Sequence, residues 1–425
     1  MGNVALGRGI GQCRDIATLF VGCDVGGSQH AVAIIDSTGE LLEKLDQIYN
    51  SRKGFKFLIG KIAHWVKKTG AERIEFAFEP TGHYWKPLVN FISAQGIEVF
   101  FIKTTAVKVM RELTDSTPSK NDRRDALTLA RLLLERKVLK GPPCEGIWRE
   151  LRELVQYRHK LAEAQVEFLL KLRVIIDEFF PELMEVFDRL KAVGLWRLLN
   201  EAPFPGDLVA LGHEWLVVHL QKWTKRGKTA VEKAEALMEA ARDSIGLPVL
   251  PGDRRRLESV LRGLEHYKHE LRVVEKEMKR VLMETGYGEI LLSFPGIGVV
   301  SAATFLGELG DPANFEGASQ VVSFAGIDPS EKSSGKKKGR MRISKKGRPL
   351  MRTTLYFMAM SAILHCPEVK AYYQRRKREI DSGELDIKPM QLVFAVAIKQ
   401  VRILFAMCRD KQAYRPDYRE LKEAA

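Results

Sequence analysis

The sequence has little of what a secreted, cross-linked or membrane-spanning chain needs. Only five of its 425 residues are cysteine, at positions 13, 23, 144, 366 and 408. None forms a C-x-x-C pair, which argues against a disulfide framework or a zinc site and fits a reducing cytoplasm. No basic segment followed by a long apolar run opens the chain, so no signal peptide is expected. The longest apolar stretch, Leu392 to Cys408, is broken by Lys399 and Arg402. It reads as an amphipathic helix, and no membrane partner is expected. Internal repeats and low-complexity tracts are also missing. Acid is the scarcer charge: 54 Asp and Glu stand against 68 Lys and Arg, a formal net charge of +14. A basic chain of this length has room for two or three domains and points to nucleic acid or an anionic surface.

What is present begins with Leu19-Phe-Val-Gly-Cys-Asp24-Val-Gly-Gly-Ser28. Leu19, Val21 and Cys23 alternate with small or polar residues, which predicts a strand ending near Asp24. Two glycines then permit a tight turn. Apolar runs from Ala31 to Ile35 and from Glu40 onward complete a three-stranded meander. An acid on the first strand of such a meander suits Mg²⁺-dependent phosphate chemistry; an Asp that merely opens a turn fits equally. Helical spacing follows over 51–68, then a strand over Arg73 to Glu79. A helix is expected from Pro80 and Thr81 with Trp85, Leu88, Val89 and Ile92 inward, and then a strand over 97–102. This order predicts an α/β layer with a mixed sheet, and ligands in such sheets collect at the carboxyl ends of strands. Asp24 and Glu79 both fall there.

Ser119-Lys-Asn-Asp122-Arg-Arg-Asp125-Ala opens a helix that Ser119 or Asn121 can cap. Asp122 and Asp125 share a face, and Leu127, Ala130 and Leu134 are expected to seat that helix on the sheet. Asp24, Glu79, Asp122 and Asp125 together supply the oxygen donors that two Mg²⁺ ions need. A capped surface helix with no ligand is the plainer alternative for the Asp pair.

Beyond about residue 145 the pattern becomes helical. Leu151 to Ile175 steps by three and four, and Leu264, Tyr267, Leu271, Val274, Met278 and Val281 form a heptad seam. The seam can close a hairpin within the chain or recruit a second protomer, and assembly is the expectation carried forward. Residues 180–255 between them read as a small, mostly helical insert. Phe294-Pro-Gly296-Ile-Gly298 suits a helix-hairpin-helix whose backbone N–H groups approach a phosphate, or a tight corner with no ligand. From Lys332 to Arg352 there are ten Lys or Arg and no acid. Lys332, Lys336, Lys337, Lys338, Arg340, Arg342, Lys345, Lys346 and Arg348 are therefore candidate phosphate contacts. Ser334, set before Gly335 among these cations, is either a hydrogen-bond donor to phosphate or a nucleophile. Helices are expected again over 353–364 and 392–408, then a charged tail.

Taken together, Asp24, Phe-Glu79-Pro-Thr-Gly, Asn-Asp122-x-x-Asp125-Ala, Phe-Pro-Gly-Ile-Gly and Ser-Gly335 followed by Gly-Arg-x-Arg-Ile-Ser-Lys-x-Gly are specific. The chain resembles the DEDD transposases of the insertion-sequence 110 and 1111 group, the bridge-RNA-guided recombinases, over most of its length. The resemblance implies a RuvC-like (ribonuclease-H-like) domain over 17–140 and a coiled-coil region over 145–285. It further implies a mostly helical transposase domain over 286–410, with 411–425 left as tail. The four acids would be its Mg²⁺ ligands. Ser334, favoured over Ser333, would be its nucleophile, forming a covalent phosphoserine with DNA. Double-stranded donor and target DNA, a structured guide (bridge) RNA and a tetramer are the implied partners, in a bacterial or archaeal cytoplasm. The competing readings are a RuvC-like junction nuclease using water, an actin-like ATPase built on Asp24-Val-Gly-Gly-Ser28, and a non-catalytic nucleic-acid scaffold.

Overall fold

The computed structural model describes residues 17–80, 82–102, 106–110, 122–137, 139–140, 146–223, 227–330 and 342–416. Ser119, Asn121, Thr81, Ser333, Ser334, Lys332, Lys336, Lys337, Lys338 and Arg340 lie outside them. The chain divides into two compact units, 1–144 and 145–425.

The first unit is a six-stranded sheet. Strands β1 (Thr18–Asp24), β2 (Gln29–Ile35) and β3 (Leu41–Tyr49) form the expected antiparallel meander. Helix α1 (Arg52–Thr69) leads to β4 (Arg73–Phe78), and α2 (Trp85–Ser93) to β5 (Glu98–Phe101). Helix α3 (Asp122–Leu134) precedes β6 (Leu139–Lys140). The order is β3-β2-β1-β4-β5-β6, with β1, β4 and β5 parallel and β6 antiparallel at the edge. Central β1 is covered on both faces, so its residues are almost all buried. Alternation sends Leu19, Val21 and Cys23 into a core with Phe55, Leu58 and Ile62 of α1 and Leu88, Val89 and Ile92 of α2. The other face, with Phe20, Ala77 and Phe100, packs on Leu129, Ala130, Leu132 and Leu133 of α3.

Two local expectations change. Helix α2 begins at Trp85 rather than at Pro80, because Gly82 turns the chain with φ +62°. The buried stripe of α3 is Ala126, Leu129, Ala130 and Leu133, while Leu127 and Leu134 are only partly covered. The reason is Gly22. A Cβ there would lie 2.2 Å from the Ala126 carbonyl oxygen and 2.3 Å from the Ala130 nitrogen, so the helix backbone rests directly on the strand. Leucines at the contact would hold it off.

The second unit is built on two 34-residue helices, α4 (Gly146–Phe179) and α9 (Pro251–Glu284). They run antiparallel, as paired residues show along their length. Arg280 reaches Glu150 at 2.7 Å, Arg158 reaches Glu275 at 2.9 Å and Arg256 reaches Glu178 at 2.6 Å. The ring of Phe168 meets that of Tyr267, 5.2 Å between centroids. The insert between them carries α5 (Leu183–Val186), α6 (Val193–Glu201), α7 (Pro205–Trp223) and α8 (Gly227–Arg242), in a second core shared with the adjoining halves of α4 and α9.

After α10 (Gly288–Leu292) come α11 (Val299–Leu309), α12 (Ala318–Ala325), a small sheet of β7 (Pro329–Ser330) and β8 (Arg342–Ile343), α13 (Pro349–His365), α14 (Pro367–Asp381) and α15 (Pro389–Asp410). One core joins these helices to the hairpin: Leu151, Val155 and Leu161 of α4 and Val274, Met278 and Val281 of α9 pack with Phe305, Leu355, Val401 and Leu404. This corrects the expectation that the heptad seam recruits a second protomer. The same 3-4 spacing serves a partner helix of the same chain, and that partner takes the seam. Helix α15 is long and apolar enough by composition to cross a membrane. Its Val393, Val396, Val401 and Leu404 are nevertheless buried in this core. The start of the tail is tied to this unit through Tyr414. Tyr414 lays its ring 4.6 Å from that of Phe294, and its backbone N–H donates to the Ser293 hydroxyl at 2.8 Å.

Candidate active site

Two places in the fold bear the chemistry the sequence suggested, and each is described within its own unit. The first is the carboxyl end of β1 and β4. The parallel register ends with Cys23 beside Phe78, so the next pair in line is Asp24 and Glu79. Alternation puts Asp24 on the face of Gly22, and Glu79 on the face of Ala77. That is the face α3 covers. Asp125 lies in the first turn of α3, one residue before Ala126 and one turn before Leu129, and is 3 % exposed. Glu79 is 8 % exposed and Asp24 is half-buried. Asp24, Glu79 and Asp125 therefore lie toward the same end and on the same face of the sheet. Asp122 starts the same helix three residues earlier, and its side chain lies outside the described residues.

Among the described residues, no three His, Cys, Asp or Glu side chains are gathered closely enough to cage an ion by themselves. The donor set suits Mg²⁺ all the same. It is all oxygen, and Mg²⁺ sites characteristically use one or two carboxylates and leave positions for water and phosphate. Like-charged carboxylates taken out of water together are costly unless a cation is shared between them.

Sequence reasoning passed over three residues that shape this part of the fold. Gly22 sets the height of α3; a glycine inside a strand is the available signal, since it marks close backbone approach. Tyr84 lies over the β1–β2 turn, where a Cβ on Gly27 would meet its ring at 3.3 Å; no spacing announces it. Glu75 is fully buried on the α3 face and pairs with Arg73 at 3.1 Å and with Arg136 just past the end of α3. That pair fastens the far end of the helix whose near end carries Asp125.

The second place is the base of the basic loop. Residues 331–341 leave and rejoin the described chain through β7 and β8, which pair Ser330 with Arg342 and Pro329 with Ile343. Below this the backbone is clamped further. Ser344 donates to the Asp328 carbonyl at 2.9 Å, Lys345 to the Gly326 carbonyl at 3.0 Å and Arg348 to the Phe324 carbonyl at 3.2 Å. Gly326 and Gly347 lie against each other with no room for a Cβ on either. A firm base thus presents the segment carrying Ser334.

Arg342, Lys345 and Lys346 are exposed beside it. Arg348 is partly buried, its guanidinium 3.5 Å from Glu308 and over the ring of Phe324. Glu308 is 3 % exposed and also accepts from Gln156 of α4. Burial holds its carboxyl above the usual Glu range, opposed by the Arg152 charge. Gly296, with φ +88°, packs on Ser361 of α13, whose hydroxyl donates to its carbonyl at 2.8 Å. Its glycine is required by this corner. Gly298 is exposed at the N-terminus of α11.

Comparison with known proteins finds relatives that span both units. Residues 21–181 match a transposase family of the IS110 DEDD type, and residues 288–374 match the transposase IS116/IS110/IS902 family. A 44.8 kDa protein of insertion element IS116 from Streptomyces clavuligerus is 27% identical over 94% of this chain and 96% of its own length. The putative transposase of the IS117 mini-circle from Streptomyces coelicolor is 28% identical over 87% of this chain and 90% of its own. The IS1111A transposase of Coxiella burnetii is 26% identical over 41% of this chain and 47% of its own.

Proposed function

Because this chain belongs to the IS110-type family of insertion-sequence transposases, we propose that it cuts and rejoins DNA through a covalent bond to Ser334, assisted by the acids Asp24, Glu79, Asp122 and Asp125. The observation supporting this reading is the placement of Asp24, Glu79 and Asp125 toward one end of a sheet whose strand order suits a RuvC-like domain. The four acids would hold Mg²⁺. Bound there, the ion supplies Lewis-acid stabilisation of charge on the phosphate under attack.

The chain's own groups account for the rest. The Ser334 hydroxyl is a weak nucleophile until its proton is removed, so it needs a base or a nearby cation. Its Oγ forms the new bond to phosphorus and one deoxyribose oxygen leaves as a hydroxyl. Lys332, Lys336, Lys337, Lys338, Arg340, Arg342, Lys345 and Lys346 offset the charge of the phosphates around the break. The phosphoserine keeps the phosphodiester free energy, so a second hydroxyl can reverse the step on a new strand without ATP. Sequence choice by a guide RNA fits a protein whose contacts are mainly cationic. A tetramer whose active sites draw on different protomers would meet the same chemistry. The long α4–α9 pair is read as its coiled-coil element, with the seam used internally.

The test is isosteric charge removal in the purified protein. Asp125→Asn and Glu79→Gln should each abolish Mg²⁺-dependent DNA breakage, with folding and DNA binding retained. Normal breakage in both variants would take the acids out of the site.

A further inference from the structure

A groove of about 1090 Å³ runs between α14 and α15 and is closed on one side by residues 412–416. Its wall carries Arg375, Arg378, Lys399, Arg402 and Arg415 against two acids, Glu368 and Asp410. Both acids are engaged. Glu368 accepts from the Cys366 thiol at 3.1 Å and from the Tyr414 hydroxyl at 3.2 Å, and Asp410 is held by Arg409 at 2.7 and 2.9 Å. Five cations against two acids leave the wall net positive. It also holds a flat aromatic surface. Tyr372 lies on its wall, half-buried, with the Lys399 ammonium 4.2 Å from its ring centroid and the Arg375 guanidinium 5.7 Å away.

Cations along a concave track with an aromatic ring among them are the chemistry of single-strand recognition. The cations follow phosphates, and the ring stacks on a base whose face is not already covered by a neighbour. Pro329, the first residue of β7, is part of the same wall. One residue separates it from the basic loop, so a strand lying in the groove continues directly to that loop's base.

We propose that this groove seats the single-stranded DNA flanking the phosphate attacked at the basic loop. The assignment rests on the reading of that loop as the DNA-cutting segment. A few nucleotides fill a space of roughly 1000 Å³, on the scale of other ligand clefts.

The test uses the full-length protein in EDTA, so that no cleavage occurs, and follows the anisotropy of labelled dT20 and rU20 across a salt series. Arg378 and Arg402 are exposed, so Arg378→Ala/Arg402→Ala leaves the core alone. It should lower the slope of log affinity against log salt for dT20 by about 1 to 1.5, the counterion release of two phosphate contacts. Tyr372→Leu should weaken dT20 about 5- to 150-fold through loss of base stacking. Lys160→Ala/Arg272→Ala, two exposed cations outside the groove, should change neither quantity. Unchanged dT20 binding in both groove variants overturns the proposal. So does a loss confined to rU20, which would assign the groove to RNA. Failure of the cutting reading is seen separately: wild type would leave no covalent protein–DNA product in Mg²⁺ while the groove variants still lost dT20.

Discussion

Gly22→Ala is the sharpest perturbation of the acid site that touches no acid. The added methyl would sit 2.2 Å from the Ala126 carbonyl oxygen and 2.3 Å from the Ala130 nitrogen. Ordinary contact needs about 3.5 Å, so α3 must rise by roughly 1 Å. Both opposing atoms are backbone, and no side-chain rotation relieves them. Overpacking of this kind costs about 1–3 kcal/mol of stability. The effect on activity should be larger than that suggests. Asp125 rides on the first turn of the displaced helix, while Asp24 and Glu79 stay with the sheet. A misplacement near 1 Å between cooperating groups costs on the order of 100-fold in rate. Urea unfolding and Mg²⁺-dependent cleavage of labelled DNA, measured on the same preparation, check both halves. A Gly22→Ala protein that unfolds at the wild-type midpoint and cuts at the wild-type rate would refute the packing of α3 on β1, and with it the shared placement of the acids.

Two further outcomes follow from the second unit. Glu308 holds its proton more tightly when folded than an ordinary glutamate, because it is buried. Its contribution to stability is therefore full at pH below the ordinary value of 4.5 and is lost as pH rises through the elevated one. Glu308→Gln removes that term, so urea midpoints at pH 5 and pH 8 should differ less than in wild type; an equal difference would contradict the assignment. Met278 is fully buried in the seam between α9, α4 and the C-terminal helices. Met278→Ala should cost about 2–5 kcal/mol in unfolding and leave the molar mass by light scattering unchanged; a lower mass with an unaltered unfolding curve would place the seam between protomers.

The acids were legible because each stands where a local rule puts it. Asp24 ends an alternating strand, Glu79 follows another, and Asp125 falls one helical turn before Leu129. Their common end follows from parallel β1 and β4, a long-range pairing that the strand–helix–strand order implies. What covers that end was not legible. Ala130 is the expected anchor of α3, but Leu127 and Leu134 look like better anchors than Ala126, and only the close approach at Gly22 reverses that choice. The seam's partner was hidden for a different reason: a heptad records that a face is covered and not by what. Helix α14 was missed because Arg375-Arg-Lys-Arg378 reads as solvated charge, and only one of its residues, Val369, is buried. Arg348 shared its composition with the loop before it, and its contacts with Glu308 and Phe324 depend on α11 and α12, which spacing does not reveal.

The measurement that bears most directly on the central claim is a denaturing gel of labelled DNA incubated with protein, guide RNA and Mg²⁺. Wild type should leave a protein–DNA band that survives denaturation. Ser334→Ala removes one oxygen and no charge, so DNA binding should persist on the surrounding cations while the band and strand exchange vanish; Ser333→Ala should keep both. A serine that only donated a hydrogen bond to phosphate would cost about 0.5–1.5 kcal/mol when lost, a modest drop in affinity with exchange still measurable. A covalent band that persists in Ser334→Ala contradicts the account.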